Sequence, residues 1–96
     1  MSKPIKLDDE QVVELLRDLP GWASTGKAIA KTYKFPDYYG TIAFVNATAA
    51  ISNRADHHPD LEVGYDKVVV RYSTHSAGGL TQKDFDCAAK VEKVRV

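Results

Sequence analysis

The sequence predicts an α+β fold in the order αββαββα, a four-stranded antiparallel sheet with its helices packed on one face. Three observations carry this. Three stretches repeat apolar residues at helical spacing, four shorter ones are strand-like and rich in Val, Ile and Tyr, and the strand-like stretches come in adjacent pairs joined by short turns. Two hairpins and three separate helices pack most simply as a sheet covered on one side.

Asp8 opens the first helix. Gln11 stands at the capping-box position, Leu7 is placed to staple against Val12, and Val12, Leu15, Leu16 and Leu19 form one apolar stripe. Pro20-Gly21 ends it. Ala28 to Phe35 then alternates as a half-exposed strand. Ile29, Tyr33 and Phe35 share a face that Lys31 interrupts, and Trp22 to Thr25 supplies the hairpin partner. Asp37 caps a second helix from Tyr38 to about Ala55. Its two stripes, Tyr38/Ile42/Val45/Ala49 and Phe44/Thr48/Ile51/Ala55, make it apolar around much of its circumference, as suits a central or interface helix. Leu61 to Tyr65 and Lys67 to Thr74 form a second hairpin about Asp66, with Val68, Val70 and Tyr72 toward the core. Gly78-Gly79 breaks the strand. Thr81 caps the third helix, whose stripe is Phe85, Ala88, Ala89 and Glu92; Asp84 completes the capping box, and Leu80 with Phe85 the staple.

With 96 residues, of which 44% are hydrophobic and 27% charged, the chain has room for one core, so residues 1–96 are read as a single domain. Such a small domain gains burial by oligomerising, and a homodimer or homotetramer is expected. Thirteen basic and thirteen acidic residues cancel without a basic run, which argues against a nucleic-acid partner. The lone Cys87 allows no intrachain disulfide or thiolate cluster. Met1 to Asp9 is polar and no stretch suits a membrane span, so a cytoplasmic protein with no membrane partner is expected.

All three histidines fall between positions 57 and 75. Pro59 disfavours helix at His58, so the second helix finishes near Asp56 or His57 and the pair sits at a helix-to-strand junction. Strand counting brings His75, at the end of the last strand, back beside that junction. Imidazoles with pKa values of about 6.5 can give and take protons near neutrality, which suits an elimination in which water leaves and a nearby N–H loses its proton. No serine elbow or neighbouring thiol offers a nucleophile. Two other readings stay open on the residues alone: structural histidines, or zinc held with Asp56 or Asp60. Against zinc, side chains of adjacent histidines diverge.

The series Asp56-His57-His58-Pro59-Asp60-Leu61, Tyr65, Thr74-His75-Ser76-Ala77-Gly78-Gly79-Leu80-Thr81 and Asp84, with upstream Pro20-Gly21-Trp22, resembles the pterin-4a-carbinolamine dehydratase family over nearly the whole chain. The resemblance implies dehydration of 4a-hydroxytetrahydropterin to quinonoid dihydropterin, without metal or cofactor, in recycling the tetrahydropterin that aromatic amino-acid hydroxylases use. It implies His57, His58 and His75 as the catalytic histidines, with His57 and His75 moving protons and His58 holding the pterin. Asp56, Pro59, Ser73, Thr74 and Asp84 become substrate-binding or pocket residues, Ser73 and Thr74 through backbone groups. It also implies an alternative, a protein-binding module that serves as dimerisation cofactor of a transcription factor. Three positions depart from the family pattern: Asn53 where many members are acidic, Leu61 where some are aromatic, and Ala77 where some carry cysteine.

Overall fold

The computed structural model describes residues 5–96, so the opening polar stretch, Met1 to Asp9, lies partly outside the described residues. Its elements run α1 (Asp9–Leu16), β1 (Ala23–Ser24), β2 (Ile29–Lys34), α2 (Tyr38–Ala55), β3 (Asp60–Val63), β4 (Lys67–Tyr72), a one-turn 3-10 helix (His75–Ala77) and α3 (Gln82–Val91). The four strands pair antiparallel in the spatial order β1-β2-β4-β3.

The register explains the sheet's two faces. Ile29, Lys31 and Tyr33 lie beside Tyr72, Val70 and Val68, and Leu61 and Val63 continue these rows. This face carries the core: Ile29, Val68, Val70 and Tyr72 are fully buried, and Phe44, Phe85, Ala88 and Val91 of α2 and α3 join them. The opposite face carries Ala30, Thr32, Val69, Arg71, Asp60 and Glu62 in register, with Arg71 and Glu62 paired at 2.8 Å.

Each helix begins where the sequence places it. Asp8 Oδ1 accepts from Gln11 N–H at 2.8 Å while Gln11 Oε1 accepts from Asp8 N–H at 3.0 Å, a reciprocal capping box. Asp37 Oδ1 accepts from Gly40 N–H at 2.8 Å. In α2 only one stripe is covered: Thr41, Phe44, Thr48 and Ser52 are buried against the sheet, whereas Tyr38 and Ala49 are exposed and Ile42 and Val45 half-buried. Val13 apart, the large exposed apolar side chains inside elements belong to this helix and to β3.

Two strands are shorter than the alternation predicts. β3 stops at Val63, because Gly64 N–H bonds to Lys67 C=O at 2.8 Å and residues 64–66 make the turn. β4 stops at Tyr72, because a separate loop closed by the Thr74–Gly79 bridge takes over the following backbone groups. His75 therefore stands on a 3-10 turn rather than at the end of a strand.

Lys31, which breaks the apolar alternation of β2, meets Glu92, which breaks the apolar stripe of α3. Its Nζ donates to both Glu92 carboxylate oxygens, at 2.8 and 3.0 Å, and to Pro20 C=O at 3.0 Å, while Tyr33 donates its hydroxyl to the same carboxylate. Burial alone would raise the Glu92 pKa, but the bonds from Lys31 and Tyr33 outweigh it and hold the carboxyl below its ordinary range. A carboxyl depressed in the fold contributes stability that is complete above its unfolded value, 4.5, and lost as pH falls through the lower folded value. Glu92→Gln is accordingly expected to cost about 1–2 kcal/mol at neutral pH. The cost should shrink as the medium is acidified, read by urea unfolding at a series of pH values; a cost independent of pH would contradict this.

Among the described residues no helix is long and apolar enough to cross a membrane. Cys87 is buried, and burial pushes its thiol pKa up, as for a core residue.

Candidate active site

The exit of α2 sets the first part of the site. Asp56 adopts the left-handed conformation, φ 49° and ψ 44°; Asp56 N–H bonds to Asn53 C=O at 3.2 Å and His57 N–H to Ser52 C=O at 3.0 Å. This is a Schellman cap with aspartate, one of the residues that tolerates αL, in the place glycine usually takes. It turns the chain directly ahead of His57, whose side chain meets Asp84 and Tyr72. Asp56 itself is exposed, and its structural work is the cap.

Three contacts hold His57, counting its backbone bond to Ser52. Its side chain is 11% exposed, its Nε2 lies 2.5 Å from Asp84 Oδ1, and its ring is nearly parallel to that of Tyr72, with 12° between planes and 5.8 Å between centroids. The third is the backbone bond to Ser52. Ser52 also fixes Tyr72, through a 2.7 Å bond between the two hydroxyls. Burial pushes the Tyr72 phenol up to about 12, so it stays neutral and serves as a fixed surface beneath the imidazole.

Asp84 is completely buried and accepts hydrogen bonds from three donors. Its Oδ2 takes the backbone N–H of Thr81 at 2.9 Å, which is the capping role the sequence predicts, and also the Thr74 hydroxyl at 2.8 Å. Its Oδ1 takes His57. With the Asp84 carboxylate as acceptor, the bond is donated by His57 Nε2–H, the tautomer that leaves Nδ1 without a proton. The Thr81 hydroxyl, 2.8 Å from that of Thr74, completes the buried network.

Thr74 carries this network to His75, its neighbour in the chain. His75 is exposed and lines a cavity of about 150 Å³ with Lys27, Ser73, Thr74, Gly78 and Gly79. The backbone of Thr74 is already engaged: its N–H bonds to Gly79 C=O, and its C=O accepts from Ala77 and Gly79 N–H. Ser73 is thus the better placed of the two to offer backbone groups to a ligand.

His58 is exposed and lines a different groove, of about 520 Å³, with Asn53, Pro59 and Leu61 among its walls. That groove shares no lining residue with the His75 cavity. The proline-imposed extended backbone accounts for this, since successive extended residues project to opposite sides. The fold therefore links His57 to His75 through Asp84 and Thr74 and sends His58 to an adjacent groove. Two departures from the family pattern, Asn53 and Leu61, line the groove of His58. Among the described residues no three His, Cys, Asp or Glu side chains gather as a metal-ligating group.

The sequence marks Asp84 as a helix cap; the structure shows that cap on Oδ2 and adds the bond between Oδ1 and His57. Sequence reasoning missed Ser52 and Tyr72 as members of the site. The available signal was Ser52 itself, a polar residue in line with Thr41 and Thr48 on the buried face of α2.

Comparison with known proteins places the chain in a family. Residues 5–94 match the model of the family described as pterin 4 alpha carbinolamine dehydratase. A protein of Xanthomonas campestris pv. campestris strain 8004, provisionally named a pterin-4-alpha-carbinolamine dehydratase, is 58% identical over 91 residues, covering 93% of this chain and 77% of that one. A relative with the same provisional name from Xanthomonas oryzae pv. oryzae strain MAFF 311018 is 56% identical over 91 residues, with the same coverage. Among solved structures, a transcriptional coactivator/pterin dehydratase from Brucella melitensis superposes with a TM-score of 0.85 at 32% identity, over 91% of this chain and 95% of that one. A pterin dehydratase-like protein identified as a RuBisCO assembly factor of the alpha-carboxysome superposes with a TM-score of 0.61 at 25% identity, over 74% of this chain and 82% of that one. With nearly all of its length matched, the chain belongs to the pterin 4 alpha carbinolamine dehydratase family.

Proposed function

We propose that the protein dehydrates pterin-4a-carbinolamine to quinonoid dihydropterin by histidine acid–base catalysis, in the recycling of tetrahydropterin in the cytoplasm. The observation that carries this is the His57–Asp84–Thr74 hydrogen-bond chain, whose last member is the sequence neighbour of His75, so that one imidazole is held on a buried carboxylate and the other is exposed at a cavity. In the reaction the C4a–O bond breaks and the hydroxyl leaves as water with a proton from one imidazole. The other imidazole takes the ring N–H proton, and the electron pair of that bond forms the C=N double bond. No external reductant, oxidant or nucleophile is needed. Asp84 acts as a positioning residue that fixes the tautomer of His57, Ser73 borders the ring, and Thr74 supports Asp84. His58 and Pro59 line the separate groove, from which His58 would hold the substrate only if it reaches beyond the His75 cavity, and Asp56 serves as the cap that sets the turn into them.

Purified protein treated with a chelator is expected to accelerate quinonoid formation from the carbinolamine as fast as untreated protein. Loss of turnover on chelation, restored by zinc, would replace this mechanism with a metal-assisted one.

The uncovered stripe of α2 supports a homodimer or homotetramer, read as a native mass of two or four times 10.6 kDa. A second reading, a non-catalytic protein-binding module, draws on the solved relatives described as a coactivator and as an assembly factor. It requires a stable complex with a protein partner and no turnover.

A further inference from the structure

The wall of the His75 cavity is cationic, and the mechanism above uses none of that charge. Lys27 lines the cavity directly, and no carboxylate does. The topology brings it there: Ser24 pairs with Ile29 and Ile29 with Tyr72, so the tip of the β1–β2 hairpin overhangs the point where β4 gives way to Ser73 and Thr74. The tip is tight, with Thr25 N–H bonded to Ala28 C=O at 2.8 Å and Gly26 at φ 92°, and it presents Lys27 from a fixed turn.

A second lysine reaches the same loop from the other end of the chain. Leu7 N–H bonds to Leu80 C=O at 2.8 Å, which lays Lys6 along Gly79; a Cβ at Gly79 would stand 2.9 Å from Lys6 Cε. The missing side chain at Gly79 is what lets the lysine stem cross there. Among the described residues neither Lys6 nor Lys27 forms an ion pair, although both are exposed. In a chain with no net charge, Lys27 in the cavity wall and the Lys6 stem against Gly79, another residue of that wall, mark a local site for an anion.

We infer that the cavity of His75, Lys27 and Gly79 takes a pterin whose side arm carries an anionic group, a carboxylate or a phosphate, with Lys27 and Lys6 as its counter-charges. The inference rests on the pterin reading of the site and goes beyond it in naming the class of pterin.

Two stable fluorescent pterins of similar size separate the cases, 6-carboxypterin and the neutral 6-hydroxymethylpterin. Wild-type protein is expected to bind the carboxylate about tenfold more tightly, as befits charge-assisted hydrogen bonds at a partly exposed rim. The preference should weaken as salt is raised and fall to near unity in Lys6→Gln/Lys27→Gln. Both lysines are exposed, so circular dichroism should be unchanged in the double variant. Inorganic phosphate and 6-phosphomethyl-substituted pterin, used as competitors, distinguish which anion is preferred. Equal affinity for the two pterins in wild-type protein, or a preference that survives the double substitution, would overturn the inference and leave the dehydratase reading standing. Failure of both pterins to bind would remove the dehydratase reading itself.

Discussion

His75→Ala is expected to lower kcat/KM for carbinolamine dehydration by about 10²–10⁴-fold, the range that a positioned general acid or base contributes. Stability should change by less than about 0.5 kcal/mol, because the side chain is exposed and substitutions at such positions cost little. Among the described residues it makes no hydrogen bond through its ring. Activity and folding are therefore separable at this residue in a way they are not at His57, whose removal would leave Asp84 Oδ1 without its donor. Stopped-flow turnover beside thermal unfolding reads both quantities. A variant that keeps wild-type turnover would show that His75 is a surface residue and nothing more.

Asp84→Ala is expected to show the opposite profile, with fold and turnover failing together. The substitution leaves three donors without an acceptor, His57 Nε2–H, the Thr74 hydroxyl and Thr81 N–H, all in or beside the core. Stranding buried partners of a charged group costs about 3–5 kcal/mol, a large share of the stability of a domain this size. Asp84→Asn separates positioning from folding. Its amide keeps the shape and can still accept at one oxygen, but an NH₂ facing His57 pushes the imidazole toward the tautomer protonated on Nδ1, the nitrogen that must exchange protons. The variant should fold with a modest loss and lose at least about 10²-fold in kcat, a cost expected when a general base is misoriented. The acidic limb of its pH–rate profile should also move, which a purely structural carboxylate would not cause. Unchanged kcat and profile in Asp84→Asn would reduce Asp84 to a helix cap.

Local rules were readable wherever one short segment decides the outcome. Asp8 with Gln11 and Thr81 with Asp84 declare helix starts, and the alternation of Val68, Val70 and Tyr72 declares a buried strand face; the structure agrees at each. Pro20-Gly21 marks a stop too late: α1 ends at Leu16, and i→i−3 turns carry the backbone from there to Leu19. The ends of β3 and β4 were less readable, because a strand stops where a competing turn claims its backbone groups. Those competitors, Gly64 with Lys67 and Thr74 with Gly79, leave little trace in a Val- and Tyr-rich run. The two stripes of α2 look alike in sequence, and only the position of the sheet decides that Phe44 and Thr48 are covered and Tyr38 and Ala49 are not. In the site, the clustering of His57, His58 and His75 was plain, whereas the order within it was not. That His57 shares Asp84 with Thr74 depends on a left-handed aspartate at position 56, and on a ring stack with Tyr72 that joins residues 15 apart in the chain.

The proposed catalysis requires His57 and His75 to act as one acid–base pair across the Asp84–Thr74 link. The most direct test is the dehydration rate of the His57→Ala/His75→Ala protein, folded by circular dichroism and assayed with chelator present. A rate equal to that of the uncatalysed reaction is predicted; a rate close to wild type would contradict the pairing of these two imidazoles.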